Sequence, residues 1–224
     1  TFTVSGSELA ITSAGVLTFA SAPDYETKSS YTGTVTANDG TNTTTQAITV
    51  NVTNVNDNAP VFTSSATFSA AENQTTAGTV AASDADGNSI TYSISGTDAS
   101  SFTINSSSGA LTFNSAPDYE TKASYSVTAT ASDGTNSTTQ AITVNVTNQN
   151  EFSPVFTSSA TFSAAENQIS IATVTATDID DAASGTSPTF STDSSELSIT
   201  SAGVLTFNSA PDYETKNTYT ARIT

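Results

Sequence analysis

The side chains of this chain that could do chemistry are almost all oxygen-bearing. It has 21 Asp and Glu residues, no His and no Cys. Sixteen of the carboxylates stand at positions that recur along the chain: Asp24, Glu26, Asp39, Asp57, Glu72, Asp84, Asp86, Asp118, Glu120, Asp133, Glu151, Glu166, Asp178, Asp180, Asp212 and Glu214. Only Glu8, Asp98, Asp181, Asp193 and Glu196 fall elsewhere. Two polar runs ending in proline lie among them, Asn54-Val55-Asn56-Asp57-Asn58-Ala59-Pro60 and Asn148-Gln149-Asn150-Glu151-Phe152-Ser153-Pro154. Proline ends a hydrogen-bonded ladder and pushes the residue before it into an extended conformation, so each run leaves one sheet and enters the next. A bare linker has no need of so many oxygen atoms, and a solubilising surface would scatter its charge instead of concentrating it at strand ends. The runs read as joints that bind something.

Paired carboxylates such as Asp84 and Asp86 have the composition of a general acid and base. Their equivalents Asp178 and Asp180 recur, however, and active sites are seldom tiled along a chain. With no His and no Cys to act as base or nucleophile, the chain does not read as an enzyme.

Charge and composition narrow the partners. Four Lys and Arg against 21 Asp and Glu give a net charge of -17 over 224 residues. Phosphate contacts need Lys and Arg, so nucleic acid is excluded and anionic membrane surfaces are disfavoured. Without Cys there is no disulfide framework or thiolate metal site, and without His the commonest transition-metal ligand is gone. No apolar run reaches membrane-spanning length. A hydrophobic fraction of 35% in regular alternation argues for a folded chain despite its many Ser, Thr and Asn.

The elements that must position these side chains repeat. Ala-Pro-Asp-Tyr-Glu-Thr-Lys occurs at 22–28, 116–122 and 210–216, and residues 60–74 are identical to 154–168. The period is 94 residues, the size of a small sandwich domain with its own core. This predicts a partial repeat over 1–57, a whole one over 58–151 and a second partial one over 152–224, an excerpt from a longer array. Within 58–151, Phe62 and Phe68, Val80, Ile90-Tyr92-Ile94, Phe102-Ile104, Leu111-Phe113, Tyr125-Val127-Ala129-Ala131 and Ile142-Val144-Val146 mark seven strands by alternation. Seven strands separated by Gly, Ser, Asn and Asp turns indicate an all-β antiparallel sandwich. No helical period is present, beyond a single turn expected over 117–122.

Ala71-Glu72-Asn73, Asp84-Ala85-Asp86, Asp118-Tyr119-Glu120, Ala131-Ser132-Asp133-Gly134 and the Asn54–Phe62 linker together resemble the extracellular cadherin repeat, in that family's order and over the whole chain. The resemblance implies tandem seven-stranded Greek-key, Ig-like sandwiches with up to three calcium ions at each junction. It implies Asp24, Glu26, Asn54, Asn56, Asp57, the Asn58 carbonyl, Asp84, Asp86 and Asp133 as ligands at the first junction. At the second it implies Glu72, Asp118, Glu120, Asn148, Asn150, Glu151, the Phe152 carbonyl, Asp178 and Asp180. The chemistry agrees, because calcium takes six to eight oxygen ligands in flexible geometry, whereas softer metals want His or Cys. Clustered carboxylates about 5 Å apart repel by roughly 3 kcal/mol per pair at an effective dielectric near 20, so an empty joint should splay. The chain departs from the family in having Asn54 and Asn148 where Asp is usual, and Glu151 and Phe152 in place of Asp and Asn.

The resemblance implies a calcium-stiffened extracellular array, a stalk, surface filament or adhesin, whose partners are neighbouring repeats and other copies or cell-surface glycans. Near-identical repeats, few Lys and no Cys point to a bacterial surface protein. The exchanged Trp-bearing strand of animal cadherins does not carry over, since the chain has no Trp. The competing reading is a carbohydrate-binding sandwich, with Tyr31, Tyr125 and Tyr219 as stacking platforms.

Overall fold

Alternating small and β-branched residues favour extended chain, and strands account for nearly all the regular structure. The computed structural model describes residues 1–180 and 187–224. Asp181, one of the carboxylates outside the recurring positions, lies outside the described residues. Strands Phe2–Val4 (β1), Leu9–Ile11 (β2), Leu17–Phe19 (β3), Ser30–Asn38 (β4) and Thr43–Asn51 (β5) come first. They are followed by Val61–Phe62 (β6), Thr67–Ala71 (β7), Thr76–Thr79 (β8), Ala82–Ser83 (β9), Thr91–Ser95 (β10), Phe102–Ile104 (β11), Ala110–Phe113 (β12), Ser124–Ser132 (β13) and Ser137–Thr147 (β14). The last are Val155–Phe156 (β15), Ser170–Thr173 (β16), Ala176–Thr177 (β17), Leu197–Ile199 (β18) and Val204–Phe207 (β19). Among the described residues the only helical element is one 3-10 turn, Ala99–Ser101.

The chain divides into two compact units. One comprises Thr1–Phe68, Thr76–Asn114 and Ser126–Thr143; the other comprises Ser69–Thr75, Ser115–Tyr125 and Val144–Thr224. In the first unit β4 and β5 form a hairpin in unbroken antiparallel register from Ser30↔Asn51 to Asn38↔Thr43, with β1 on the other side of β4. Strands β11, β12 and β8 form a three-stranded antiparallel sheet, and β6 pairs with β9. A four-stranded sheet runs in the order β10-β13-β14-β7: β13 and β14 are consecutive in the chain, whereas β10 beside β13 and β7 beside β14 are reached by crossovers, as a Greek key requires.

Period-two alternation sets the core. On β13, Val127, Ala129 and Ala131 point inward at no more than 2% exposure while the residues between them face outward. Leu111 from β12, Ile142 from β14 and Val80 fill the rest of that interior. Small residues on one strand let the large ones opposite reach the centre, and the result is an all-β sandwich. In the second unit, Val174, Leu197 and Leu205 form the buried core, with Phe162, Ile171, Phe190, Phe207 and Tyr219 packed against it.

The seven strands expected over 58–151 appear as nine. β6 and β7 share one stretch of chain, interrupted where Thr63 donates its N–H to Ala81 O at 2.8 Å. β8 and β9 are split where the Val80 N–H turns to Gly109 O at 2.9 Å. At each break the chain changes partner, from β9 to the four-stranded sheet and from β12 to β6. Ile90 precedes β10 rather than belonging to it. The single turn expected over 117–122 is present, closed by Lys122 N–H donating to Asp118 O at 2.9 Å.

Candidate functional site

The acidic motifs sit where strands stop. Glu72 follows β7, Asp84 and Asp86 follow β9, Asp133 follows β13, and Asp118 opens the turn before β13. In each turn the Asp accepts bonds from the residues just after it, an Asx turn that fixes the backbone. Asp24 Oδ2 accepts from the Thr27 hydroxyl at 2.7 Å, and Asp118 Oδ2 from the Thr121 hydroxyl at 2.9 Å. Those hydroxyls hold both Asp carboxyls below their ordinary pKa. Burial works against Asp133, yet the backbone N–H groups of Asn136 and Thr135 hold it low as well.

At the first joint, oxygen atoms of Glu26, Asp57 and Asp86 come within 4.8 Å of one another. Asp86 is the organiser. Its Oδ2 accepts the backbone N–H groups of Asp57 and Asn58 at 3.1 and 2.9 Å, and its Oδ1 accepts the Asn58 side-chain amide at 3.0 Å. That amide, its largest influence, lowers the Asp86 pKa. Asn54 donates its side-chain amide to Asp86 O at 2.8 Å. Glu26 moves the opposite way: loss of hydration comes first, and the nearby Asp86 and Asp24 add to it, raising its pKa. Asp24, Asp84 and Asp133 stand outside the tight trio. Asp84 Oδ2 and Asp133 Oδ2 are closed off from solvent without a hydrogen-bond partner among the described residues.

The second joint gathers Glu72, Asp118 and Glu120 within the same 4.8 Å. Glu72 is 1% exposed; its Oε2 accepts the Tyr119 N–H at 2.8 Å and its Oε1 accepts the Gln149 N–H. Asp180 is 2% exposed and repeats the Asp86 pattern, taking the Glu151 and Phe152 N–H groups on Oδ2 at 2.9 and 2.7 Å. Asn148 donates to Asp180 O at 3.0 Å, as Asn54 does to Asp86 O. Asp178 accepts the Asp180 N–H at 3.1 Å. Glu151 does not join the trio; its carboxylate takes the Asn73 side-chain amide. Asn150 is exposed. Both Glu120 oxygens, Asn148 Oδ1 and Asp180 Oδ1 are shielded and lack a partner among the described residues. Lost hydration, followed by the charges of Glu72, Asp180 and Asp118, raises the Glu120 pKa.

Glu166, Asp212 and Glu214 form a third trio 94 residues further on, all exposed, with Glu166 accepting the Tyr213 N–H at 3.0 Å.

One contributor escaped the sequence reading. Asn136 donates its side-chain amide to Asn56 Oδ1 at 3.3 Å and to Asn58 O at 3.2 Å, tying the linker to the turn after β13. The signal was present in the sequence: Asp133-Gly134-Thr135-Asn136 repeats Asp39-Gly40-Thr41-Asn42. Glu8 and Glu196 were read as outside the pattern, yet each pairs with the lysine of its own Asp-Tyr-Glu-Thr-Lys turn, Glu8 with Lys28 at 2.5 Å and Glu196 with Lys216 at 2.6 Å.

The tyrosines read as sugar platforms are occupied. Lys28 lies 4.7 Å from the Tyr31 ring centre, Lys122 4.6 Å from Tyr125 and Lys216 4.7 Å from Tyr219. Phe19 and Phe207 meet Tyr31 and Tyr219 edge-on at 5.1 and 4.9 Å. A sugar ring would have to displace a cation from each face.

What the two joints can do follows from their donor sets. Carboxylate, amide and backbone oxygens, several shielded and unpartnered, suit a hard divalent cation and no soft one.

Comparison with known proteins bears on the fold that carries these joints. The family model of the Cadherin domain matches residues 65–147. Protocadherin Fat 4 of Mus musculus is 36% identical over 142 residues, covering 57% of this chain and 3% of that protein. Cadherin EGF LAG seven-pass G-type receptor 2 of Homo sapiens is 36% identical over 126 residues, covering 53% of this chain and 4% of that protein. This chain therefore spans only a few hundredths of the length of these relatives. Among solved structures, the Protocadherin gammaB7 EC3-6 cis-dimer aligns with a TM-score of 0.75 at 26% identity, over 94% of this chain and 58% of that one. Mouse Cadherin-23 EC22-24 aligns at 0.66 and 25%, over 96% of this chain and 77% of that one. Among the described residues, no helix is long and apolar enough to cross a membrane. Residues 65–147 are thus a cadherin-like repeat, and the chain as a whole has the fold of cadherin ectodomains.

Proposed function

We propose that this chain is part of a calcium-stiffened array that serves as a stalk, surface filament or adhesin. Its repeats are 1–57, 58–151 and 152–224, joined at 54–58 and 148–152. The observation that carries the proposal is Asp180: a carboxylate at 2% exposure with one oxygen unpartnered among the described residues, beside a Glu120 whose two oxygens are equally bare among them. An unpaired buried carboxylate oxygen is costly, and a cation removes that cost. At the first joint the cation would be held by Asp24, Glu26, Asn54, Asn56, Asp57, Asn58, Asp84, Asp86 and Asp133. At the second it would be held by Glu72, Asp118, Glu120, Asn148, Asn150, Glu151, Phe152, Asp178 and Asp180. When bound, calcium supplies positive charge that offsets carboxylate repulsion and ties each linker to its flanking turns.

The acidic, Cys-free composition and near-identical repeats support a bacterial surface origin, and the repeats' partners are one another and other copies of the chain. Extracellular calcium modules bind at about 10⁻⁴–10⁻³ M, so calorimetry in that range, with small-angle scattering before and after chelation, tests the reading. Ion uptake with a longer, stiffer particle is expected. No uptake, with superposable scattering profiles, overturns it.

A further inference from the structure

The two joints share a backbone scaffold but differ at one pair of atoms. At the first, the Asn58 side-chain amide bridges two carboxylates, donating to Asp57 Oδ1 and Asp86 Oδ1, both at 3.0 Å. At the second, the residue in the same place is Phe152, which has no side-chain donor. Asp180 Oδ1, the equivalent of Asp86 Oδ1, accordingly has no partner among the described residues, at 2% residue exposure. The linker carboxylate is displaced too: Glu151 is a methylene longer than Asp57 and takes the Asn73 side-chain amide instead.

Resting on the calcium reading above, we propose that the joints are unequal: Asn58 stands in for a cation at the first, whereas the second has no such stand-in and depends on the cation for its order. An amide that already holds two like charges together keeps the first linker in register without an ion. It must give up those bonds, or share the carboxylates, when an ion arrives. At the second joint no described residue competes for Asp180 Oδ1, and a cation there satisfies an oxygen that otherwise has only desolvation cost. The second joint therefore fills at the lower cation concentration and, once emptied, is the looser of the two. Asn58 and Phe152 are positioning residues, acting through Asp86 and Asp180.

The test is amide hydrogen exchange on the full chain in chelator and along a calcium titration, read at Asp57 and Asn58 for one joint and at Glu151 and Phe152 for the other. In chelator, Glu151 and Phe152 should exchange about tenfold faster or more, and in the titration they should reach protection first. Phe152→Asn should slow their exchange in chelator and raise the calcium concentration needed for protection. Asn58→Leu should do the reverse at Asp57 and Asn58. Equal protection of the two joints in chelator overturns the inference whether or not calcium binds. Unchanged exchange in Phe152→Asn, or tighter calcium binding by it, overturns it as well. Absence of calcium binding at both joints with unequal protection in chelator would instead overturn the function proposed above and leave the Asn58 bridge standing.

Discussion

Gly109 lies directly against the carbonyl of Val80, so that a Cβ on it would come 2.0 Å from that oxygen, at a φ of +69°. Gly203 stands in the same relation to Val174, at 2.1 Å and a φ of +83°. The contact is the reverse side of a hydrogen bond, since Val80 and Val174 donate their N–H groups to Gly109 O and Gly203 O at 2.9 and 2.8 Å. No side chain fits there, and the backbone conformation alone favours glycine.

Gly109→Ala is therefore expected to destabilise the chain by more than about 2 kcal/mol, the left-handed strain plus a clash with backbone that cannot yield. Gly40→Ala carries only the strain, because nothing lies within 4 Å of the added carbon at a φ of +102°. Urea unfolding of the two variants separates the contributions, and equal losses would mean that the Val80 contact is unimportant.

Core truncation should grade with burial. Ile142 is fully buried on β14, whereas Ile48, its counterpart 94 residues earlier on β5, is half-buried. Ile142→Ala is expected to cost about 2–5 kcal/mol and Ile48→Ala clearly less. Thermal unfolding of both variants checks the order, which reversed values would contradict.

Glu26 and Glu8 are eighteen residues apart and both exposed, yet only Glu26 belongs to a carboxylate trio. Glu26→Ala should weaken calcium binding at the first joint about tenfold, the loss of one strong charged ligand. Glu8→Ala breaks a pair with Lys28 whose side chains are 51% and 41% exposed, costs at most about 1 kcal/mol and leaves calcium affinity unchanged. Calorimetric titration of the two variants distinguishes them, and equal effects would remove Glu26 from the ligand set.

Without divalent cation, stability should pass through a maximum in acid. Glu26 and Glu120 have raised pKa values, so the folded state holds their protons more tightly than the unfolded one. Their contribution is complete below the unfolded value of 4.5 and is lost as pH rises through the folded values. Asp24, Asp86, Asp118 and Asp133 have lowered values, so their contribution is complete above 3.8 and is lost as pH falls through the folded values. Acidifying from neutral towards 4.5 should thus raise the melting temperature of the cation-free chain, and acidifying below 3.8 should lower it. A melting temperature that falls steadily from neutral pH would contradict the assignment.

Sequence reading went furthest where a pattern repeats. The 94-residue period, the inward faces of β13 and β14 and the carboxylates at strand ends follow from alternation and spacing, which act over a few residues and leave a local signature. Where the chain crosses between sheets, at Thr63 and Val80, long-range pairing decides the strand boundaries, and spacing carries no sign of it. Asn136 was missed because its role is to span 80 residues to Asn56. The consequence of Phe152 was missed because the loss appears on another residue, Asp180. The pairing of Glu8 with Lys28 was hidden because the middle repeat has Ser101 near that position, which masked the recurrence of Glu8 at Glu196.

The lysine stacks carry a further meaning for how the chain meets a protease. The 224 residues hold only four Lys and Arg, and three of these, Lys28, Lys122 and Lys216, lie across a tyrosine ring at the end of a tight turn. A protease of the trypsin class must seat a basic side chain deep in its pocket with the chain extended on either side. Here each such lysine would first have to leave its ring and its turn uncoil, so three of the four basic residues of the folded chain are poor sites for that class of enzyme, and Arg222, exposed outside any strand, is the one it would reach first.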